Sequence, residues 1–443
     1  MKNPSKSITN VTLTQDQQKA INGFLDFLVS DEPFFAIQGA AGTGKSFLIH
    51  HLLETFYSKY KAYCLFLQKD VKKFDIRITA TTNKAVSVIG EFLEPLLMKR
   101  PDIQVNTIYS LLGLKVVNDH ATGKTTLSFS QNGGSSFTPE HDKIPLVFID
   151  ESSFINEELQ EIIDAILHQQ WHAKIVYIGD RYQLAPVGQS YSVLDSIQCQ
   201  TVELTEIVRN QGAILTLGDQ FRKTVSSGKF QPITYNGIDV VHVKGPEFQR
   251  LVDQAYADPK WTPATSRILA WTNERVQEYN LYVRKLLKFP ERFQVGEIVV
   301  TNEFIKSPTS FTRSVDSEVE ITSIHPEKTD MYGVPGYLIE IDNAYVSFMP
   351  ENFKEAKQLM KELAAKKEWK RYFEIKETWF DLRAVYASSV HKSQGSTYDT
   401  VFLDLTDIGK NWQANDVARL MYVGITRAAK KVICYGFLPD RYC

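Results

Sequence analysis

Between Gln38 and Ser46 the chain reads QGAAGTGKS, three glycines closely followed by a lysine and a hydroxyl. Gly39 and Gly44 fill the glycine positions of the pattern G-x-x-x-x-G-K-[ST], and Gly42 adds a third residue without a Cβ. Such a loop turns its backbone N–H groups inward around phosphate oxygens at the positive end of a helix dipole. Lys45 would reach the β and γ phosphates, and the Ser46 hydroxyl would meet a magnesium ion bridging them. The expected ligand is a nucleoside triphosphate with Mg2+, bound by residues 39–46, with Ala40, Ala41 and Thr43 completing the loop.

A second constellation suits the same chemistry. The apolar run Leu146–Ile149 ends in Asp150 and Glu151, and an acidic pair at the carboxyl end of a buried strand has the Walker B form. Asp150 would hold magnesium, directly or through water, while Glu151 polarises the water that attacks the γ-phosphate. The next apolar run, Lys174–Ile178, opens into Gly179-Asp180-Arg181-Tyr182-Gln183-Leu184-Ala185-Pro186-Val187, where Gln183 is placed to sense that phosphate.

The elements that must position these groups follow from hydrophobic periodicity. Phe34–Ile37 predicts a short strand feeding the glycine loop, and Phe47–Leu53 the helix that leaves it. Residues 11–28 predict an amphipathic helix with Thr14 as N-cap and Ala20, Ile21, Phe24, Leu25 and Leu28 on its apolar face. Gln17 and Gln18 sit just before that face, where a carboxamide could match both hydrogen-bonding edges of adenine; two solvated glutamines are the plainer alternative. Phe74–Ala80 predicts a strand running into Thr81-Thr82-Asn83-Lys84, and ligands of open α/β sheets bind at such ends. Hydroxyls at Thr107, Tyr109 and Ser110 start another apolar helix, where ordinary capping also explains them. In 115–143, β-branched residues flank a Thr-Gly-Lys turn, with a Gly-Gly pair beyond, which predicts a β-hairpin inserted into the first domain or else a surface loop.

Composition bounds the rest. At 443 residues the chain exceeds one ordinary core, so two or three domains are expected, and 43% hydrophobic with 23% charged residues describes a soluble globular protein. Cys64, Cys199, Cys434 and Cys443 form no C-x-x-C pair, which argues against a zinc site or a disulfide framework and fits a reducing compartment. With no apolar leader at residues 1–10 and no run long enough to cross a bilayer, the cytoplasm is the expected location. A net charge of −2 gives no bulk attraction to nucleic acid, so any such site must be a local groove.

Taken in order, LTQDQ (13–17), GAAGTGKS, ATTNKAV, TIYSLL, IDESS, GDRYQLAPV, LTEIVRN (204–210), HKSQGST (391–397) and YVGITRAAKK (422–431) resemble the Q motif and motifs I, Ia, Ib, II, III, IV, V and VI of superfamily 1 helicases. Within them the set is similar to the RecD-like superfamily 1B group that includes the phage Dda helicase. Ser46 replaces the commoner Thr, Ser153 ends a DESS where DEAS is usual, Ala185 stands for a proline, and Tyr109 occupies a position often held by His.

The resemblance implies an α/β fold of two RecA-like P-loop domains with an inserted β-hairpin pin (1B) and an inserted SH3-like 2B domain. It places domain 1A at 1–200 with the pin at about 115–143, domain 2A at 201–292 and 376–443, and 2B with a helical extension at 293–375. It makes Arg209 and Arg427 arginine fingers and brings Gln17 and Gly395 to the nucleotide. Thr82, Asn83, Thr107, Tyr109, Asn273, His391 and Ser393 become strand contacts, with Phe129 an aromatic at the pin tip and the helical segment from Glu351 its brace. The implied activity is ATP-dependent 5′–3′ translocation on single-stranded DNA with duplex unwinding, by a monomer whose partners are single-stranded DNA, the duplex fork and single-strand-binding or replication proteins. An RNA helicase, a translocase that does not unwind, and a nucleotide-switched binding module remain as alternatives.

Overall fold

The computed structural model describes residues 13–119, 122, 125–129, 137–184, 197–206, 212–307, 311–325 and 329–442. The chain divides into two compact units, residues 1–113 with 134–211, and residues 114–133 with 212–443.

Runs of apolar residues with no polar alternation suit strands covered on both faces, and the first unit is built from them. Its six-stranded sheet has the order Gln104–Thr107, Phe74–Ala80, Ile144–Asp150, Lys174–Gly179, Phe34–Gly39, Gln200–Leu204, every neighbouring pair parallel. Phenylalanines of the Gln15–Val29 helix lock onto it: Phe24 lies against Phe148 and Phe27 stacks on Phe35, with centroids 5.8 and 5.4 Å apart. A capping box starts that helix, with Thr14 Oγ1 accepting from the Gln17 N–H and Gln17 Oε1 accepting from the Thr14 N–H. Its far end is closed by the buried Lys174 ammonium, which donates to the carbonyls of Phe27, Ser30 and Glu32 at 3.0, 2.6 and 2.7 Å. Because all strands run the same way, the chain segments carrying Lys45, Thr82, Asp150 and Gln183 leave the sheet from one edge, at the strands' carboxyl ends.

The second unit has its own parallel sheet, in the order Ala387–Ser389, Ser266–Ala270, Tyr398–Asp404, Ala428–Tyr435, Val240–Val243. The Ala414–Thr426 helix packs close to it at Gly424, where an added Cβ would come within 2.9 Å of Leu403. Between helix Asn273–Leu286 and strand Ala387–Ser389 lies an antiparallel sheet in the order Thr329–Met331, Val334–Ile341, Glu318–Ile324, Ile298–Thr301, Leu382–Ala384, with Tyr345–Pro350 also paired to Val334–Ile341. Helices Phe353–Ala365 and Trp369–Thr378 lie in the chain between its strands Tyr345–Pro350 and Leu382–Ala384 and bury Leu363 and Ile375 against Phe348 and Trp379.

Ala384 ends the antiparallel sheet opposite Val299, and Ala387 begins the parallel one opposite Ile268. The joint between them, Val385-Tyr386, is buried, and the Tyr386 carbonyl accepts from the Ile268 N–H. One sequence expectation changes here: the hairpin pairs from Leu114↔Phe129 to Asn118↔Thr125, so its turn falls between Asn118 and Thr125 and Phe129 lies at the open end. Phe129, 55% exposed, is therefore not a tip residue. Among the described residues no helix is long and apolar enough to cross a membrane.

Candidate nucleotide and strand sites

The phosphate loop is shaped by positions where only glycine fits. Gly42 and Gly44 take left-handed backbone angles, φ 87° and 82°. At Gly39 a Cβ would lie 2.6 Å from Thr43 Oγ1 and 3.0 Å from Leu204 Cβ. Thr43 closes the loop by donating its hydroxyl to the Ala40 carbonyl at 2.9 Å. With Gly44 as N-cap, no described side chain caps the Lys45–Phe66 helix, which leaves the first-turn N–H groups to an anion. The Lys45 ammonium lies over the loop, donating to the carbonyls of Gly39 and Ala40 at 2.6 and 3.2 Å, and Ser46 is exposed on the first turn. Gln17 is buried, and its amide donates to the Thr43 carbonyl at 3.2 Å, so the carboxamide joins the capped helix start to the phosphate loop.

Asp150 ends its strand with Oδ1 accepting from the Glu151 N–H at 2.9 Å. Burial pushes its carboxyl above the usual range, opposed by that N–H and by the positive charge of Lys45. Glu151 has φ 50° and ψ 39°, a left-handed conformation that costs a non-glycine residue roughly 1–3 kcal/mol and gathers at functional sites. The bend is held from both sides. Thr81 donates its hydroxyl to the Glu151 carbonyl at 3.4 Å, and the next residue, Ser152, donates to the Ile178 carbonyl at 2.8 Å. Gln183 is buried in a turn organised by Asp180, whose carboxylate accepts from the Tyr182 N–H at 3.1 Å and from Gln183 Nε2 at 3.4 Å.

The donor set fits a hard divalent cation that takes most of its ligands from phosphate and water. Ser46 and Asp150 supply one hydroxyl and one carboxylate, and no group of three or more His, Cys, Asp or Glu able to cage a metal exists among the described residues.

In the second unit, Arg427 is buried with its guanidinium donating to the carbonyls of Val423 and Ser396 and to Thr426 Oγ1, at 3.3, 3.2 and 3.3 Å. It thus joins the YVGITRAAKK stretch to the HKSQGST stretch. Gly395 has φ 74°. Ser393, expected on the strand surface, is 0% exposed and spends its hydroxyl on the Val390 carbonyl at 2.7 Å. It shapes the turn and cannot face a ligand from there, which corrects that expectation. His391, two residues earlier, is exposed. Lys392 reaches Asn302 and Asp316 at 2.9 and 2.8 Å, tying this loop to the antiparallel insertion.

Thr82 and Thr107 both cap helices, accepting from the N–H groups of Ala85 and Ser110, and Thr82 and Asn83 are exposed. Burial and the charge of Glu158 raise the Tyr109 phenol above its ordinary range. Asn273 is exposed at the start of its helix. Arg209 and Ala185 lie outside the described residues. Two further carboxylates organise these segments through long-range contacts. Asp16 accepts from both the N–H and the hydroxyl of Thr205, and Asp407 accepts from the N–H groups of Trp271 and Thr272 just before Asn273.

Comparison with known proteins places this geometry. A family described as AAA domain matches residues 12–234, and one described as UvrD-like helicase C-terminal domain matches residues 384–435. The chain is 24% identical over 469 residues to the ATP-dependent DNA helicase dda of Enterobacteria phage T4, covering 94% of this chain and 97% of that one. It is 23% identical over 468 residues to the ATP-dependent DNA helicase Pif1 of Bdellovibrio bacteriovorus, covering 98% and 90%. Among solved structures, Pif1 helicase from Bacteroides in complex with ADP-AlF3 and ssDNA superposes with a TM-score of 0.52 at 16% identity, covering 98% of this chain and 94% of that one.

Proposed function

The chain belongs to the AAA-domain helicases of superfamily 1B, of the Pif1 and Dda type, and we propose that it is a motor that moves 5′ to 3′ along single-stranded DNA and parts the duplex ahead of it. It is an ATP-hydrolysing DNA helicase. The observation that carries the reading is the Lys45 ammonium set over Gly39 and Ala40 at the uncapped start of its helix, with the Asp150 carboxylate close enough to feel its charge.

In this reading the loop from Gly39 to Ser46 binds the phosphates, and Ser46 and Asp150 hold Mg2+, which neutralises charge on them. Glu151 accepts the proton of the attacking water, and Gln183, braced by Asp180, senses the γ-phosphate. Arg209 and Arg427 act as fingers, Arg427 exchanging its carbonyl partners for phosphate oxygens during turnover. Thr82, Asn83, Thr107, Tyr109, Asn273 and His391 contact the strand through phosphates and base faces, as sequence-independent movement requires. The polarity rests on superfamily 1B membership. The hairpin Leu114–Phe129 is the fork element, and the antiparallel insertion with its two helices is the SH3-like 2B domain. That the hairpin groups with the second unit supports a brace from there. Cytoplasmic location and contact with single-strand-binding or replication proteins complete the proposal.

ATPase rates measured with poly-dT, with poly-U and with no nucleic acid test it. Stimulation by poly-dT above poly-U is expected; equal slow turnover in all three would indicate a nucleotide switch instead.

A further inference from the structure

Trp412 is 83% exposed, the most exposed large apolar side chain among the described residues. An indole this exposed buries little area, yet the residues beneath it are held by specific contacts. The Arg441 guanidinium lies over the Trp412 ring at 4.5 Å and over the Tyr442 ring at 4.7 Å. Arg441 also donates to the Gly409 carbonyl at 3.3 Å, and the Tyr442 hydroxyl to the Asn411 carbonyl at 2.8 Å. One face of the indole is thus backed by a held cation in a braced loop, and the other is open to solvent. Fixing an aromatic in advance lowers the ordering cost when a flat partner stacks on it.

The place of the loop in the fold identifies that partner. Strand Ser266–Ala270 lies between Ala387–Ser389 and Tyr398–Asp404, all parallel, so the segments leaving their carboxyl ends are neighbours. These segments carry Asn273, His391 and Trp412 respectively. Two of them are bonded together. Asp407, five residues before Trp412, accepts from the N–H groups of Trp271 and Thr272 at 2.9 and 2.7 Å and from the Thr272 hydroxyl at 2.9 Å. The segment that carries the exposed indole is therefore bonded to the start of the Asn273 helix.

We propose that Trp412 is a base-stacking platform for single-stranded DNA, extending the strand track from Asn273 across the next strand end of the same sheet. The assignment rests on the motor reading above. A π-face contact suits a track that must accept every base, and stacking of this kind is strong enough to be seen in equilibrium binding.

The test is fluorescence anisotropy of the full-length protein with labelled dT oligonucleotides, intact and with a single abasic site moved along the strand. Trp412→Ala is expected to lose roughly 5- to 100-fold in affinity, and Trp412→Phe to recover most of it. In the wild type an abasic site at one position should weaken binding by a similar factor, and in Trp412→Ala that position should become silent. Wild-type affinity in Trp412→Ala overturns the proposal and would leave the indole to a protein contact. A loss that leaves the mutant as sensitive as the wild type to every abasic position also overturns it, since the loss would then be structural. Thermal melting of the variants separates misfolding from lost stacking. Failure of the wild type to bind dT at all would instead remove the motor reading.

Discussion

Asp16 and Thr205 are joined twice, Asp16 Oδ2 accepting from the Thr205 N–H at 2.9 Å and from its hydroxyl at 2.6 Å. In return the Asp16 N–H donates to the Glu206 carboxylate at 3.3 Å. The neighbouring Gln17 holds the Thr43 carbonyl of the phosphate loop. The first turn of one helix thus fastens both the phosphate loop and the segment that runs on toward Arg209.

That relationship gives a pH dependence. Hydrogen bonds from Thr205 hold the Asp16 carboxyl below the ordinary range. A carboxyl depressed in the folded state contributes stability above its unfolded value, near 4, and loses it as pH falls through the lower folded value. Asp16→Ala should lower stability at pH 7 by roughly 1–2 kcal/mol and make the loss of stability below about pH 4 less steep. Urea unfolding followed from pH 3 to pH 7 measures both; an acid limb as steep as the wild type's would show that Asp16 titrates alike in both states.

How much of this was legible in sequence depended on distance along the chain. The glycine loop and the acidic pair Asp150–Glu151 were legible because their demands are local: a Cβ that cannot fit at Gly39, and an apolar strand that ends in two carboxylates. The contacts of Asp16 with Thr205 and of Asp407 with Trp271 and Thr272 join residues 189, 136 and 135 positions apart, and no local pattern marks them. Ser393 failed for a different reason. In HKSQGST its hydroxyl looks as available as any other, and only the turn that points it at Val390 removes it from the surface. The place of Phe129 depended on which of two turn signals the chain uses; the register follows the Thr-Gly-Lys turn, so the strand has run its full length when it reaches Phe129.

Glu151 offers a test in which chemistry and stability separate. Glu151→Gln should retain affinity for ATP and single-stranded DNA yet lose about 10²-fold or more in turnover, because an amide keeps the shape but takes no proton. Glu151→Gly should be just as inactive but more stable, by up to about 1 kcal/mol, since glycine accepts the left-handed backbone without strain. Steady-state ATPase with thermal melting of both variants checks the pair; a glycine variant less stable than the glutamine variant would show that the bend is not strained.

Arg427 is expected to separate ATP binding from its acceleration. Its present partners, the Ser396 and Val423 carbonyls and the Thr426 hydroxyl, are ones that a phosphate can replace. Arg427→Ala should bind ATP within a few-fold of the wild type but lose on the order of 10³-fold in DNA-stimulated turnover. Arg427→Lys should recover little of this, because an ammonium lacks the planar fork. Stimulation by DNA as strong as in the wild type would remove Arg427 from the reaction.

Unwinding needs more than traction, because pulling one strand does not part a duplex unless something rigid meets the first base pair. The hairpin Leu114–Phe129 is the candidate, and its register decides which end does the work. A two-stranded hairpin is marginal by itself in water, so an effective fork element must be supported near its base and act at its turn. Parting one base-pair step costs about 1.4 kcal/mol on average, which a braced turn can offset step by step as hydrolysis advances the strand. Replacing residues 119–124 with a short Gly-Ser linker should leave poly-dT-stimulated ATPase and translocation near wild type while reducing strand separation at least about 10-fold. Phe129→Ala, at the open end, should unwind within about 2-fold of the wild type. A forked-duplex unwinding assay run beside single-strand translocation measures both variants. If the Phe129 variant fails and the linker variant unwinds normally, the base of the hairpin meets the fork. Loss of ATPase together with unwinding in the linker variant would instead place the hairpin in the strand track.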